Sequence, residues 1–187
     1  MSPILGIIAS GIQNSIANAT SYESIATTTV GSGGAATITF SSIPSTYQHL
    51  QIRTSAKSTG TGQAQRVTFN SDTGSNYAAH FIFSNGSSAP YAGGGGSATY
   101  IDVYAGYADN AVNNVFGAAI LDILDYSNTN KNKVTRSLSG FDQNTAGNLA
   151  LQSGLWVNTN AITSITLAPQ NGNWAQYSSF ALYGIKG

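Results

Sequence analysis

The sequence predicts an all-β fold, an antiparallel β-sandwich of jelly-roll type behind a short apolar N-terminal arm, and three observations carry that prediction. From Tyr22 onward apolar and polar residues alternate with the period of two that marks half-buried strands. Gly and Asn turn signals interrupt the alternation at short intervals, as in sandwiches and jelly rolls. Thr and aromatic residues fill the alternating stretches and suit a pleated surface. The chain divides into residues 1–21, the arm, and 22–187, one β-sandwich domain.

The arm differs from everything after it. Ile4, Ile8, Ile12 and Ile16 recur every four residues with Leu5 beside them, which is helix spacing. No charged side chain occurs in residues 1–22. An isolated helix of this length with glycines at 6 and 11 is marginal in water, so its isoleucines need a surface to cover them. That surface belongs either to the chain's own domain or to a partner subunit, and Ile4, Leu5, Ile8, Ile12 and Ile16 are the expected partner-docking residues. The run Ile4–Ala9 imitates a secretory core, yet no Lys or Arg precedes it, so it is expected to be retained.

The domain opens with a strand in which Ile25, Thr27 and Thr29 alternate with Ser24, Ala26 and Thr28, closed by the turn Gly31-Ser32-Gly33-Gly34. Ala36, Ile38 and Phe40 form the next strand, up to Ser42-Ile43-Pro44-Ser45. Leu50, Ile52 and Thr54 then share one face opposite His49, Gln51 and Arg53. Further strands are expected over residues 65–71, 77–83, 98–105, 114–126, 133–141, 149–157, 162–167 and 178–185. The stretch 114–126 is long enough for a helix, but its Phe, Ile and Tyr between turns fit a central buried strand. Gly93–Gly96 after Pro90-Tyr91 reads as an exposed flexible loop.

Composition narrows the function. Seven Lys plus Arg balance seven Asp plus Glu among 187 residues, and there is no Cys. Scattered cations make no basic stripe for nucleic acid. No apolar run approaches the ~20 residues of a membrane span. Without Cys there are no disulfides or thiolate metal sites. Near-zero net charge removes the repulsion that keeps proteins apart and favours self-association.

Catalytic constellations are sparse. Asp72-Thr73-Gly74-Ser75 looks like half of an aspartic-protease site, but such a site needs two carboxylates sharing a proton, and the motif occurs once. It is also an ordinary turn. His49 and His80 are the only imidazoles, and no Gly-x-Ser-x-Gly elbow accompanies them. His49 is expected on a polar strand face, and His80 as a partly buried, satisfied histidine. Asp122 and Asp125, or Asp72 with Asn70, Ser75 and Asn76, fall short of a calcium loop's oxygen density. No catalytic residue, metal ligand or cofactor site is assigned. Tyr100, Tyr104, Tyr107, Trp156 and Trp174 could stack on sugars, but they are expected to serve the core or a subunit interface, since no cluster of aromatics with carboxylates stands out.

The phrases Ile4-Leu5-Gly6-Ile7-Ile8-Ala9-Ser10, Tyr22-Glu23-Ser24-Ile25-Ala26, Phe40-Ser41-Ser42-Ile43-Pro44-Ser45-Thr46-Tyr47, His49-Leu50-Gln51-Ile52-Arg53, Phe69-Asn70, Asp72-Thr73-Gly74-Ser75-Asn76-Tyr77 and Phe180-Ala181-Leu182-Tyr183-Gly184-Ile185 together resemble virion structural proteins of tailed bacteriophages. The resemblance weakens between residues 85 and 150. Its motifs are strands and turns, so no active-site residue carries over. It implies a component of the particle's outer surface: either a capsid decoration (cement) protein or a tail-fibre or spike module recognising host glycans. The expectation is a non-enzymatic decoration protein, a homotrimer that bridges major capsid protein subunits, with neither nucleic acid nor membrane as partner.

Overall fold

The computed structural model describes residues 21–86, 89–104, 106–108, 113–144 and 146–187. Ile4, Leu5, Ile8, Ile12 and Ile16 lie outside the described residues. The strands are β1 (Tyr22–Thr29), β2 (Ile38–Phe40), β3 (His49–Ala56), β4 (Gln65–Phe69), β5 (Tyr77–Ser84), β6 (Tyr91–Ala98), β7 (Ile101–Val103), β8 (Gly117–Leu124), β9 (Lys133–Asp142), β10 (Gly147–Trp156), β11 (Ile165–Pro169) and β12 (Ser179–Ile185). No helix occurs among the described residues.

All strand pairs are antiparallel, in an eight-stranded sheet ordered β1-β12-β3-β8-β9-β10-β5-β6 and a four-stranded sheet ordered β2-β11-β4-β7. Setting aside the hairpins β5–β6 and β9–β10 leaves two four-stranded sheets, β1-β12-β3-β8 and β2-β11-β4-β7. The chain crosses between them at every connection except β4 to β7, which are neighbours. This is the eight-stranded jelly roll, two sheets linked by Greek keys. The two hairpins are insertions that pair through β10 and β5 and widen one sheet beyond β8.

The core lies between the two jelly-roll sheets. Leu50 and Ile52 of β3, Leu121 and Ile123 of β8, and Phe180 and Leu182 of β12 meet Val67 and Phe69 of β4, Ile101 and Val103 of β7, and Ile165 and Leu167 of β11. Period-two apolar residues put each of these on the inner face. Trp156 packs with Phe69 and Tyr77, and Trp174 with Tyr107 and Phe180. Both tryptophans and Tyr107 are fully buried, so they are core and offer no stacking face for a sugar. The insertions contribute little to this core: among the described residues of their strands, Tyr77 and Trp156, at strand ends, belong to it, and Ala79 and Ala98 pack against it.

Two expectations need correction. Gly93–Gly96 belongs to β6, the edge strand beside β5. At Gly93 and Gly94 rings on β5 lie across the strand: a Cβ at Gly93 would sit 2.7 Å from Phe81 Cζ, and one at Gly94 would meet the His80 ring, whereas Gly95 and Gly96 have room for a side chain. The strand expected over 98–105 is divided between the end of β6 and β7, with Ser97 in the left-handed region at φ 56°. Residues 114–126 do contain a strand, β8, as expected.

One buried cation ties loops together. Lys133, fully buried at the start of β9, donates from Nζ to the carbonyls of Asn128 (2.7 Å), Lys131 (2.8 Å) and Thr159 (2.9 Å). Desolvation lowers its pKa from the usual lysine value.

Candidate docking interface

The inserted hairpins invert the usual polarity of a sheet. Along β9 the inward residues are Lys133, Thr135, Ser137 and Ser139, all buried, while Val134 and Leu138 face out. Along β10, Ala150 and Gln152 point inward and Leu149 and Leu151 point outward. Hydroxyls and amides suit the inside because the main-chain run after β7 covers it. Ser139 Oγ donates to Tyr104 O (2.5 Å), Gln152 Nε2 donates to Asp102 O, and Gln152 Oε1 accepts from Tyr104 N (3.3 Å). A small second core of Ala108, Phe141 and Ala150, packed by Phe83, Tyr104 and Val115, completes that layer.

Register brings the outward apolar residues into one row. Ile120 of β8 faces Leu138 of β9, Leu138 faces Leu151 of β10, and Leu151 faces Ile82 of β5. These four are 42%, 53%, 52% and 56% exposed, and Leu149 and Val134 beside them are about as open. Cross-strand partners on one face touch, so the row is a continuous ridge. A groove of about 600 Å³ lined by Val134, Leu151 and Ile82, with His80 and Arg136, runs along one side of it. A second groove of about 390 Å³, lined by Ala118, Ile120, Leu138 and Leu149, with Arg53, runs along the other.

No charge interrupts the ridge. In the next row Arg136 pairs with Asp122 at 3.2 Å, and Gln51 Nε2 donates to the same carboxylate at 2.8 Å. Arg53 stands at the ridge's β3 end, opposite Ile120, with its guanidinium over the rings of Tyr22 and Tyr183. Burying the remaining half of six such side chains is worth roughly 6 kcal/mol of hydrophobic free energy, before association costs. Contiguous apolar surface of this kind marks an interaction site, whereas a single exposed Leu does not.

The residues singled out in the sequence fall elsewhere. Asp72 is a structural corner. Its Oδ2 accepts from buried Trp156 Nε1 (2.7 Å) and from Asn76 Nδ2 (2.9 Å), and Oδ1 accepts from Gly74 N (2.8 Å). Tyr77 Oη also donates to Asp72 O (3.0 Å), and burial pushes that phenol up to about 12. The bonds from Trp156, Asn76 and Gly74 hold the Asp72 carboxyl below its ordinary value. Its stabilising contribution is therefore complete above the unfolded-state pKa, near 3.8, and is lost as pH falls through the lower folded value. Asp72→Asn is expected to be less stable than wild type at pH 7, and to lose the steepest part of its acid dependence below about pH 4. Thermal melts of both proteins from pH 2 to 7 check this.

His49 Nδ1 accepts from Asp125 N at 3.0 Å, beside the Asp125–Lys131 pair. His80 is exposed on the outer face of β5, which corrects the expectation of partial burial: even-numbered residues of β5 point away from the core. Asp122 and Asp125 engage Arg136 and Lys131 respectively, not each other. Among the described residues no cluster of three His, Asp or Glu is placed to hold a metal.

Tyr100 and Tyr104 do share a cleft, of about 350 Å³, with Phe81, Asp102 and the glycine strand β6. Phe81 and Tyr104 lie ring to ring at 4.1 Å, and the Arg66 guanidinium lies 4.4 Å over Tyr100. Arg66 Nε and Asp102 Oδ1 face each other at 3.7 Å, and neither has a hydrogen-bond partner. Burial raises the Asp102 carboxyl, against the opposing pull of Arg66.

Sequence reasoning missed Ile82, Ile120, Leu138 and Leu151 as surface residues. Period two separates two faces of a strand without saying which one is inside. The signal available was the run of Thr135, Ser137 and Ser139 against Val134 and Leu138, a strand equally able to face either way.

No protein-family model matches this chain, and no curated protein does. Among solved structures, a protein of unknown function from Shewanella oneidensis MR-1 aligns at 10% identity with a TM-score of 0.21, over 88% of this chain and 75% of that one. Xylan beta-1,4-xylosidase from Bacillus halodurans C-125 aligns at 8% identity with a TM-score of 0.24, over 75% of this chain and 28% of its own. Likenesses this faint carry no argument about function.

Proposed function

We propose that this protein is a non-enzymatic structural component of a virus particle, a decoration protein that stabilises the head by bridging capsid subunits, and that the outward face of β8-β9-β10-β5 is its packing surface. The observation that supports an assembly role is the Ile120–Leu138–Leu151–Ile82 ridge, an uncharged apolar row on a face that a free-standing sheet would keep polar. The virion setting rests on the resemblance of the chain's first eighty residues and of Phe180–Ile185 to tailed-phage structural proteins. Contacts of this uncharged kind are insensitive to ionic strength, which suits a clamp exposed to varied media. Cryo-electron microscopy of purified particles tests the reading. Density for this jelly roll on the head exterior is expected, with the ridge against a neighbouring subunit. Absence of the chain from purified particles overturns it.

A second reading, a tail-fibre or receptor-binding module for host glycans, is favoured by one observation, the cleft of Tyr100, Tyr104, Phe81 and Asp102. Aromatic faces there would stack on a sugar and the carboxylate would accept from its hydroxyls. On this reading Asp102→Asn weakens saturable binding to host polysaccharide about tenfold, as expected for one charged hydrogen bond of roughly 1.5 kcal/mol. Calorimetry that detects no heat for the wild-type chain removes it.

A further inference from the structure

The ridge needs an occupant, and the chain carries a segment whose chemistry and dimensions fit. Resting on the docking-face reading above, we propose that the N-terminal isoleucine segment, residues 3–18, of one copy seats on the Ile120–Leu138–Leu151–Ile82 ridge of a neighbouring copy, so that the protein assembles by exchanging arms.

Three arguments lead there. The first is polarity: residues 1–22 have no charged side chain and the four ridge residues have none, while Arg136 and Arg53, which line the flanking grooves, are already engaged by Asp122 and by Gln51. The second is length. Ile4 to Ile16 at helix spacing covers about 18 Å, and Ile120 to Ile82 crosses three strand spacings, about 14 Å. Four isoleucines on one stripe thus meet four apolar residues in one row, with a groove on either side to take the flanking side chains.

The third is where the described chain begins. Tyr22 opens β1, at the opposite edge of the same sheet. Thr27 lies in the ridge row, through Ala181, Arg53 and Ile120. Because β1 bulges between Ser24 and Ala26, Tyr22 is four register steps off that row and three strands from β8, a straight-line distance of about 20 Å to Ile120. The six residues from Ile16 to Tyr22 reach at most about 21 Å when fully drawn out. Seating on the chain's own ridge demands a taut connector laid across Arg53 and its tyrosines. Seating on a neighbour's ridge imposes no such demand.

Absence of cysteine makes a clean cross-linking test possible. Full-length Ile12→Cys chains are mixed with full-length Leu138→Cys chains and oxidised gently. A disulfide-linked pair joining positions 12 and 138 of different chains, identified by peptide mass mapping, is expected as the main product. Self-linked Ile12→Cys or Leu138→Cys pairs with no mixed product overturn the proposal. The doubly substituted chain must likewise link between chains; a link confined within single chains shows folding back and also overturns it. The docking-face reading is read separately. If Leu138→Asp with Leu151→Asp abolishes assembly while Ile8→Asp with Ile12→Asp leaves it intact, the face stands and the arm is refuted.

Discussion

Leu138→Asp combined with Leu151→Asp is expected to leave the chain folded and to weaken its assembly at least a thousandfold. Both side chains stand outward and about half exposed, so carboxylates there remain hydrated in the isolated chain. Melting temperature should fall by only a few degrees, since the two carboxylates face each other across β9 and β10 and such a like-charge pair costs up to about 1 kcal/mol. On assembly the same carboxylates would be driven into apolar surface beside Ile120 and Ile82, where Arg136, two residues along β9 from Leu138, is already paired with Asp122. An unpaired charge buried at an interface costs several kcal/mol, and about 4 kcal/mol already corresponds to three decades in affinity. Leu138→Ser with Leu151→Ser should act in the same direction more weakly, because it removes apolar contact without burying charge.

The largest expected effect on stability belongs to Lys133→Ala. Its ammonium binds three carbonyls, those of Asn128, Lys131 and Thr159, and so joins the β8–β9 turn to the loop after β10. Removing it leaves those acceptors without their donor and opens a buried cavity, at a cost of about 3–4 kcal/mol. Lys133→Met refills the volume but supplies no donor, so it should recover only the cavity part, about 1 kcal/mol. Urea unfolding of the three proteins separates the contributions. Equal stability of wild type and Lys133→Met would show that water satisfies the carbonyls as well as lysine does.

Both effects arise where the sequence was hardest to read. The jelly roll was legible because Ile38 with Phe40, Leu50 with Ile52, and Ile165 with Leu167 alternate with polar residues and lie between strong turns. Which strands would neighbour each other was not, since β11 sits between β2 and β4 through pairings more than ninety residues apart. The insertions misled for a physical reason. A strand such as β9, with Leu and Val on one face and Ser and Thr on the other, is inward-apolar only where a second sheet covers it. Here the four-stranded sheet ends, hydrogen-bonding main chain near Tyr104 takes its place, and the hydroxyls turn inward. Glycine likewise misled at Gly93–Gly96: it signals a turn by its backbone freedom, yet all four lie in β6, where Phe81 and His80 occupy the space a side chain would need at Gly93 and Gly94. Asp72 was correctly discounted as a protease motif, but its bond to Trp156 is a contact eighty-four positions away that no local pattern encodes.

The central claim is that the outer face of β8-β9-β10-β5 is an interface, and solution mass tests it most directly. Light scattering of the full-length chain, over a range of concentrations, should give a mass well above the 19.3 kDa of one copy. Leu138→Asp with Leu151→Asp should fall to 19.3 kDa under the same conditions, with an unchanged circular dichroism spectrum. A substituted protein that keeps the wild-type multimeric mass, or a wild type that stays a single copy at every concentration, would contradict the account.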